Sequence, residues 1–298
     1  MGKGLTMTIV FEANSLNYGE GIGNISELKK LNRGNGSTHT FASRQALGYD
    51  IRRLGTELFN WNITKVEARG SGNKKTIQYD ESIKESEEMD LFGYMKTTKG
   101  SNSDTREAVV RLSPAISLEA YKSDMDFLSN KGMADRIDEN ANLANVEQHH
   151  SFYVYTVTLD LNRVGVDDEI ELSAEEKERR VKELLTIIKL LNRNIRGRQE
   201  NLAPLFVIGG VYDLPNPFFQ GRIELESCGE KYGIKVDPIS SALETSLLDN
   251  NVQDITFIGL VNGIFANEDE FEEILGENKV LSVENFFKKL ESKVEEIY

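Results

Sequence analysis

Apolar and polar positions alternate over residues 5–16, LTMTIVFEANSL, and β-branched residues are frequent there, a pattern that predicts a strand. Residues 17–39 lose that period and carry glycine at 19, 21, 23, 34 and 36, so they read as a loop. The spacing then changes. Leu47, Ile51, Leu54 and Leu58 fall at i, i+4, i+7 and i+11, which puts one apolar stripe on a helix over 40–55 or a little beyond. Residues 60–105 are mixed and polar, with short strand candidates at WNITKVEA and KKTIQYD. REAVVRLSP, 106–114, reads as a strand stopped by Pro114. Residues 115–150 are polar and irregular, scattering Met125, Phe127, Leu128 and Met133 among them. HSFYVYTVTLDL, 150–161, is a strong strand. Phe152, Val154 and Thr156 share one of its faces and Tyr153, Tyr155 and Val157 the other; core packing is expected of both.

The clearest helix follows. Ser173 and Glu176 make an S-x-x-E capping box, and Val181, Leu184, Leu185, Ile188, Leu191 and Ile195 supply a buried stripe that Gly197 ends. LFVIGGVYDLP at 205–215 and ITFIGLV at 255–261 are apolar strands. Asp237 and Pro238 open a shorter helix. The last helix, 282–297, buries Val283, Phe286, Phe287, Leu290, Val294 and Ile297. With the polar insertions removed, the order is strand, helix, strand, strand, helix, strand. That predicts an α+β fold of the ferredoxin-like or RRM-like βαββαβ type with additional C-terminal helices. One elaborated domain is expected over 1–298: a core of about 1–59, 106–114 and 150–298, with insertions at about 60–105 and 115–149.

Composition narrows the class. A hydrophobic fraction of 39% and a charged fraction of 28% are ordinary for a soluble globular chain. No apolar run approaches the roughly 20 residues of a membrane span. The start, MGKGLTMTIVFEANS, lacks the long apolar stretch of a signal peptide. The one cysteine, Cys228, excludes an internal disulfide and suits a reducing cytoplasm. The net charge is −14, which taken alone argues against a nucleic-acid partner. Its distribution changes that picture. Residues 1–79 hold eleven Lys and Arg against six acids, while 249–298 hold four basic residues against twelve acidic ones. A basic N-terminal third on an acidic body can mark an anionic partner.

Candidate chemistry gathers at the first predicted helix. Arg44 and Gln45 sit in its first turn, where free N–H groups and the helix dipole suit an anion such as phosphate. Asn14 and Asn17, at the end of the first strand, are neutral donors for the same place. Arg52 and Arg53 lie two turns on; they could follow an extended backbone or pair with surface carboxylates. Other signals are weak. GEGIG at 19–23 is an incomplete glycine fingerprint and reads as a loop, and no G-x-x-x-x-G-K-[ST] or G-x-S-x-G occurs. His149 and His150 read as a surface turn, because no ligand spacing accompanies them.

Taken together, ANSLNYGEG, NRGNGSTHTFASRQALGYDIRRLG, DLFGYM, RLSPAISLEAY, NLANVEQHHSFYVYTVTLDLNRVG and PLFVIGGVYDLPNPFFQGRIEL run in order through most of the chain. In these segments the sequence resembles the backbone subunit of type I CRISPR effectors, Cascade, in the DevR-like branch of type I-B systems. The resemblance implies a ferredoxin-like palm with two insertions, fingers at 60–105 and thumb at 115–149. It implies copies polymerised along one CRISPR RNA, contacts with other Cascade subunits, and a target DNA strand recognised through the guide. It also implies RNA contacts from Asn14, Asn17, Ser43, Arg44, Gln45, Arg52, Arg53 and Arg111. In the thumb, Lys122, Met125, Phe127, Leu128 and Lys131 are expected to displace a base or touch the neighbouring copy, while which lysines of NKK, 73–75, meet target DNA and which meet solvent stays open. Related subunits of type III effectors cut RNA with an aspartate after the first strand. Residues 13–40 hold Glu20 and Glu27 but no aspartate, so neither nuclease activity nor a cofactor is expected. The alternative is a regulatory protein that acts through protein contacts or autoregulation, without guide RNA.

Overall fold

The computed structural model describes residues 3–69, 76–96, 104–247 and 250–298. Nine strands form its central sheet: β1 (Gly4–Asn14), β2 (Lys30–Asn32), β3 (Thr38–Ala42), β4 (Val110–Leu112), β5 (Ala115–Ser117), β6 (His150–Asp160), β7 (Phe206–Tyr212), β8 (Thr256–Leu260) and β9 (Val280–Ser282). They lie in the order β9-β8-β7-β1-β6-β5-β3-β2, with β4 beside β6 next to β5. Every neighbouring pair is antiparallel except β8 with β9.

The period-two alternation of β1 and β6 decides which layer each residue enters. Leu5, Met7, Ile9 and Phe11 join Tyr153, Tyr155 and Val157 on one face. Against them pack helices α1 (Arg44–Phe59), α3 (Ala174–Lys189) and α6 (Val283–Glu295), where α2 is the short helix Glu87–Phe92. Val10, Phe152, Phe206, Ile208 and Tyr212 face the other way. They meet α4 (Val236–Leu243), α5 (Glu268–Leu275) and the chain around Phe219–Ile234. The sheet is thus buried on both sides, with a fold of mixed α+β type.

Several expected boundaries move, each for a local reason. The stretch read as a loop at 17–39 contributes β2 and part of β3, so α1 starts at Arg44 and not at 40; Ser43 caps it by accepting from Ala46 N–H at 3.3 Å. Leu47, Ile51 and Leu54 are buried as expected, but Leu58 is exposed. Pro114 does not end the strand pairing, because β5 resumes beside β6 directly after it. The second long helix is capped by Ser173 as expected but stops at Lys189. Ile195 and Gly197 belong instead to a hairpin, Asn192–Ile195 with Arg198–Asn201. Its two turn residues, Arg196 and Gly197, have φ of +46° and +76°, the left-handed pair that a tight hairpin requires.

Residues 115–149 are also more ordered than their polarity suggests. Beyond β5 they form a projecting hairpin, Asp124–Ser129 with Leu143–Gln148, extended by Ile25–Ser26, with a short helix at Lys131–Ala134. The other insertion is tied to the core through charge. Asp90 of α2 is fully buried and accepts from Arg106 at 2.7 Å, Arg180 of α3 at 2.8 Å and the Gly165 N–H at 3.0 Å. Buried charges persist only when partnered in this way.

Candidate nucleic-acid interface

The end of β1 and the start of α1 meet in space. Ser15 takes a left-handed φ of +60°, which ends β1 and turns the chain toward α1. The Asn17 side chain donates to the Ser43 hydroxyl at 3.3 Å, so the loop after β1 is fastened to the helix cap. Asn14 is fixed from behind: its N–H donates to Glu200 at 3.0 Å, and its carbonyl accepts from Arg198 at 3.1 Å. Arg44 follows the cap, exposed and without an ion pair among the described residues, and Gln45 is exposed beside it. A free cation beside the unpaired N–H groups of a sixteen-residue helix is suited to an anion.

Arg44 and Gln45 line an open cavity of about 580 Å3 together with Arg52 and Arg111. Four of the residues singled out in the sequence therefore share one groove, between α1 and β4. Arg52 is partly engaged, 3.1 Å from Glu88 and stacked over the Phe92 ring at 5.1 Å. Arg111 is exposed and lies 3.1 Å from Glu107. Gly48 forms part of the groove wall; a Cβ there would come within 3.3 Å of the Arg52 guanidinium.

Arg53 faces elsewhere. Its guanidinium meets Asp50, Glu57, and the carbonyl and side chain of Asn192, the last two at 2.8 Å. Asp50 is buried between Arg53 and Arg193, and burial pushes its carboxyl above the usual range against the pull of both arginines. Arg53 is therefore a bolt between α1 and the Asn192–Asn201 hairpin. On the projecting hairpin, Met125, Phe127 and Leu128 are all exposed, as are Met133, Ile137 and Leu143. Lys122 is exposed at its base, and Lys131 pairs with Asp135 at 2.9 Å. Lys74 and Lys75 lie outside the described residues.

The structure adds residues that the sequence did not single out. Arg193 donates to the Leu16 carbonyl at 2.7 Å, while Arg196 lies over the Tyr18 ring at 4.2 Å. Glu147 accepts from Lys30 at 2.7 Å and from the Leu28 N–H at 2.7 Å. Burial raises the Glu147 pKa, but Lys30, Leu28 N–H and Tyr121 outweigh it and hold the carboxyl below its ordinary value. His149 is not on a surface turn. It is buried, bonded to Thr40 at 2.7 Å and edged by the Tyr121 and Tyr153 rings, while His150 is exposed. Only the arginine-rich run NRNIRGR, 192–198, signals this second wall in the sequence, and as the tail of a helix it had no address. Among the described residues, no helix is long and apolar enough to cross a membrane, and no group of three or more acidic, His or Cys side chains is placed to hold a metal.

Comparison with known proteins gives this geometry a context. A family model described as CRISPR-associated negative auto-regulator DevR/Csa2 matches residues 5–231. No curated protein matches the chain in sequence. Two solved chains described as parts of a CRISPR RNA-guided surveillance complex, one of them pre-nicking, superpose with TM-scores of 0.65 and 0.62. They share 11% and 13% identity, and each comparison covers 99% of this chain and 100% of the other. At such identities the likeness is one of fold.

Proposed function

Because the chain belongs to the CRISPR-associated DevR/Csa2 family, we propose that it is a non-catalytic, guide-RNA-binding backbone subunit of a type I-B Cascade, working in the cytoplasm. The observation that carries this reading is the groove in which an unpaired Arg44 and Gln45 open onto Arg52 and Arg111 at a helix N-terminus. Such a groove holds phosphates without reading bases, which is what a subunit needs if base pairing alone is to read sequence. The sheet order β7-β1-β6 followed by β4 and β5, with α1 and α3 as the two crossovers on one face, supports a ferredoxin-like palm. On this palm 60–105 act as fingers and 115–149 as a thumb. Copies assemble along one CRISPR RNA, the thumb of each reaching its neighbour, with other Cascade subunits at the ends and target DNA paired to the guide. The acidic C-terminal surface faces away from the RNA and limits non-specific binding.

The test begins with the protein purified from its native operon. A discrete co-purifying RNA is expected, and RNA-free protein would favour the second reading, a regulatory protein acting through protein contacts or autoregulation; the family description names a negative auto-regulator. With a single-stranded RNA in a salt titration, Arg44→Ala is expected to weaken binding and to lower the salt slope by about 0.7, the share of one phosphate contact. An unchanged slope would count against Arg44 as that contact.

A further inference from the structure

The loop after β1 is clamped by three arginines of one hairpin, and they are not equivalent. Arg193 spends its guanidinium on Asp50 and on the Leu16 and Ala46 carbonyls. Arg198 spends its own on Glu200 and the Asn14 carbonyl. Both fix backbone. Arg196, at the turn between them, has no carboxylate partner among the described residues and is exposed. Its guanidinium lies over the Tyr18 ring, 4.2 Å from the centroid, and the Tyr18 hydroxyl is itself anchored on the Glu147 carbonyl at 3.1 Å. The backbone there is held in the left-handed region at φ +46°, which disfavours any residue that carries a Cβ. A glycine would relieve that strain, and the chain places an arginine instead. Strain retained at an exposed position points to use by something outside the fold.

Position says what that use is. Tyr18 follows Asn17, whose side chain touches Ser43, the residue before Arg44. Arg196 and Arg44 thus adjoin the same loop, Arg196 through Tyr18 and Arg44 beside the Ser43 that holds Asn17. A guanidinium stacked on an aromatic ring keeps its N–H edge free for a charged oxygen. We infer that Arg196, carried on Tyr18, is a second contact for the bound single strand and takes a phosphodiester beyond the one at Arg44. This inference rests on the guide-binding reading.

Arg196→Gly separates binding from folding, because glycine relaxes the turn while removing the charge. Its melting temperature is expected to equal or exceed that of the wild type. In a salt titration with a single-stranded RNA oligonucleotide, affinity should fall about threefold to fivefold and the slope by about 0.7. Unchanged affinity and slope for Arg196→Gly, with Arg44→Ala weakened, would overturn this inference and leave the guide-binding reading standing. Unchanged binding for both variants would remove the reading itself. If Arg196→Gly melts lower than the wild type, Arg196→Gln is read by the same two criteria.

Discussion

Arg44 and Arg53 lie on one helix and have opposite fates. Arg44 follows the cap, exposed and unpaired among the described residues, whereas Arg53 is enclosed by Asp50, Glu57 and Asn192. The helix period separates their faces and places Asp50 and Glu57 beside Arg53, and the Asn192–Asn201 hairpin adds the Asn192 contacts that enclose it. His149 is a second case in which the neighbours decide. Burial holds its pKa below the ordinary 6.5, with Glu119, Asp124, His39 and His150 acting at longer range. The unfolded chain therefore takes up a proton near pH 6.5 that the native state refuses, so the stability tied to His149 is present above that pH and is lost as the pH falls. Between pH 7 and pH 5 the wild-type melting temperature should fall by about 3 °C more than that of His149→Gln. Parallel pH profiles would show that His149 is not the group responsible.

At the level of elements, α1 carries the groove and must be set at the right height over the sheet. Gly55 does this: a Cβ there would lie 2.2 Å from the Trp61 ring, which is buried and donates to Glu183 at 2.6 Å. Neither ring nor helix can withdraw, since Trp61 is held by α3 and Leu54 by the core. Gly55→Ala is expected to destabilise the protein by about 2 kcal/mol through overpacking, measured by denaturant unfolding, and a loss below about 0.5 kcal/mol, the level of an ordinary surface substitution, would mean that the ring relocates freely. The two long helices differ in how well their ends could be read. Each start depends on a serine hydroxyl, but only Ser173, paired with Glu176 in a capping box, was legible; Ser43 stands inside the run read as helix from 40. The end of α3 is set by the pairing of Asn192–Ile195 with Arg198–Asn201, and periodicity alone carried the stripe nearly two turns too far. The Thr40-containing strand was likewise hidden inside the expected helix, because its partners β2 and β5 come from elsewhere in the chain.

For the whole molecule, the charge asymmetry has a spatial counterpart. Basic residues of the N-terminal third line the groove at α1, while α5, whose charged residues are all acidic, lies on the far side of the sheet order, next to β8 and β9. The projecting hairpin is a separate feature: Phe127 is 60% exposed on a segment where no residue of Asp124–Ser129 is buried. Exposed apolar residues in such a cluster mark a contact surface. Phe127→Asp should leave the melting temperature within about 1 °C of the wild type, as a surface substitution does. It should reduce the mass assembled on a guide-length RNA, read by light scattering after size exclusion. An unchanged assembly mass would exclude this hairpin from the neighbour contact.

What the sequence determined by itself is the set of local choices. The two-residue period of β1 and β6 fixed which side chains enter which layer, the 3.6-residue period fixed the buried faces of α1, α3 and α6, and the capping box at Ser173 fixed where α3 begins. These depend on neighbours a few residues away, and so they were legible. The charge count also showed that the basic residues concentrate near the N-terminus. The tertiary structure alone decided which arginines remain free. Arg193 reaches the buried Asp50 from a distant part of the chain and joins Arg53, which meets it on its own helix; Arg198 is consumed by a backbone carbonyl, and among the described residues Arg44 and Arg196 are left without a carboxylate beside one loop. An ion pair across more than a hundred residues leaves no periodic trace, because its partners meet only after the sheet has formed.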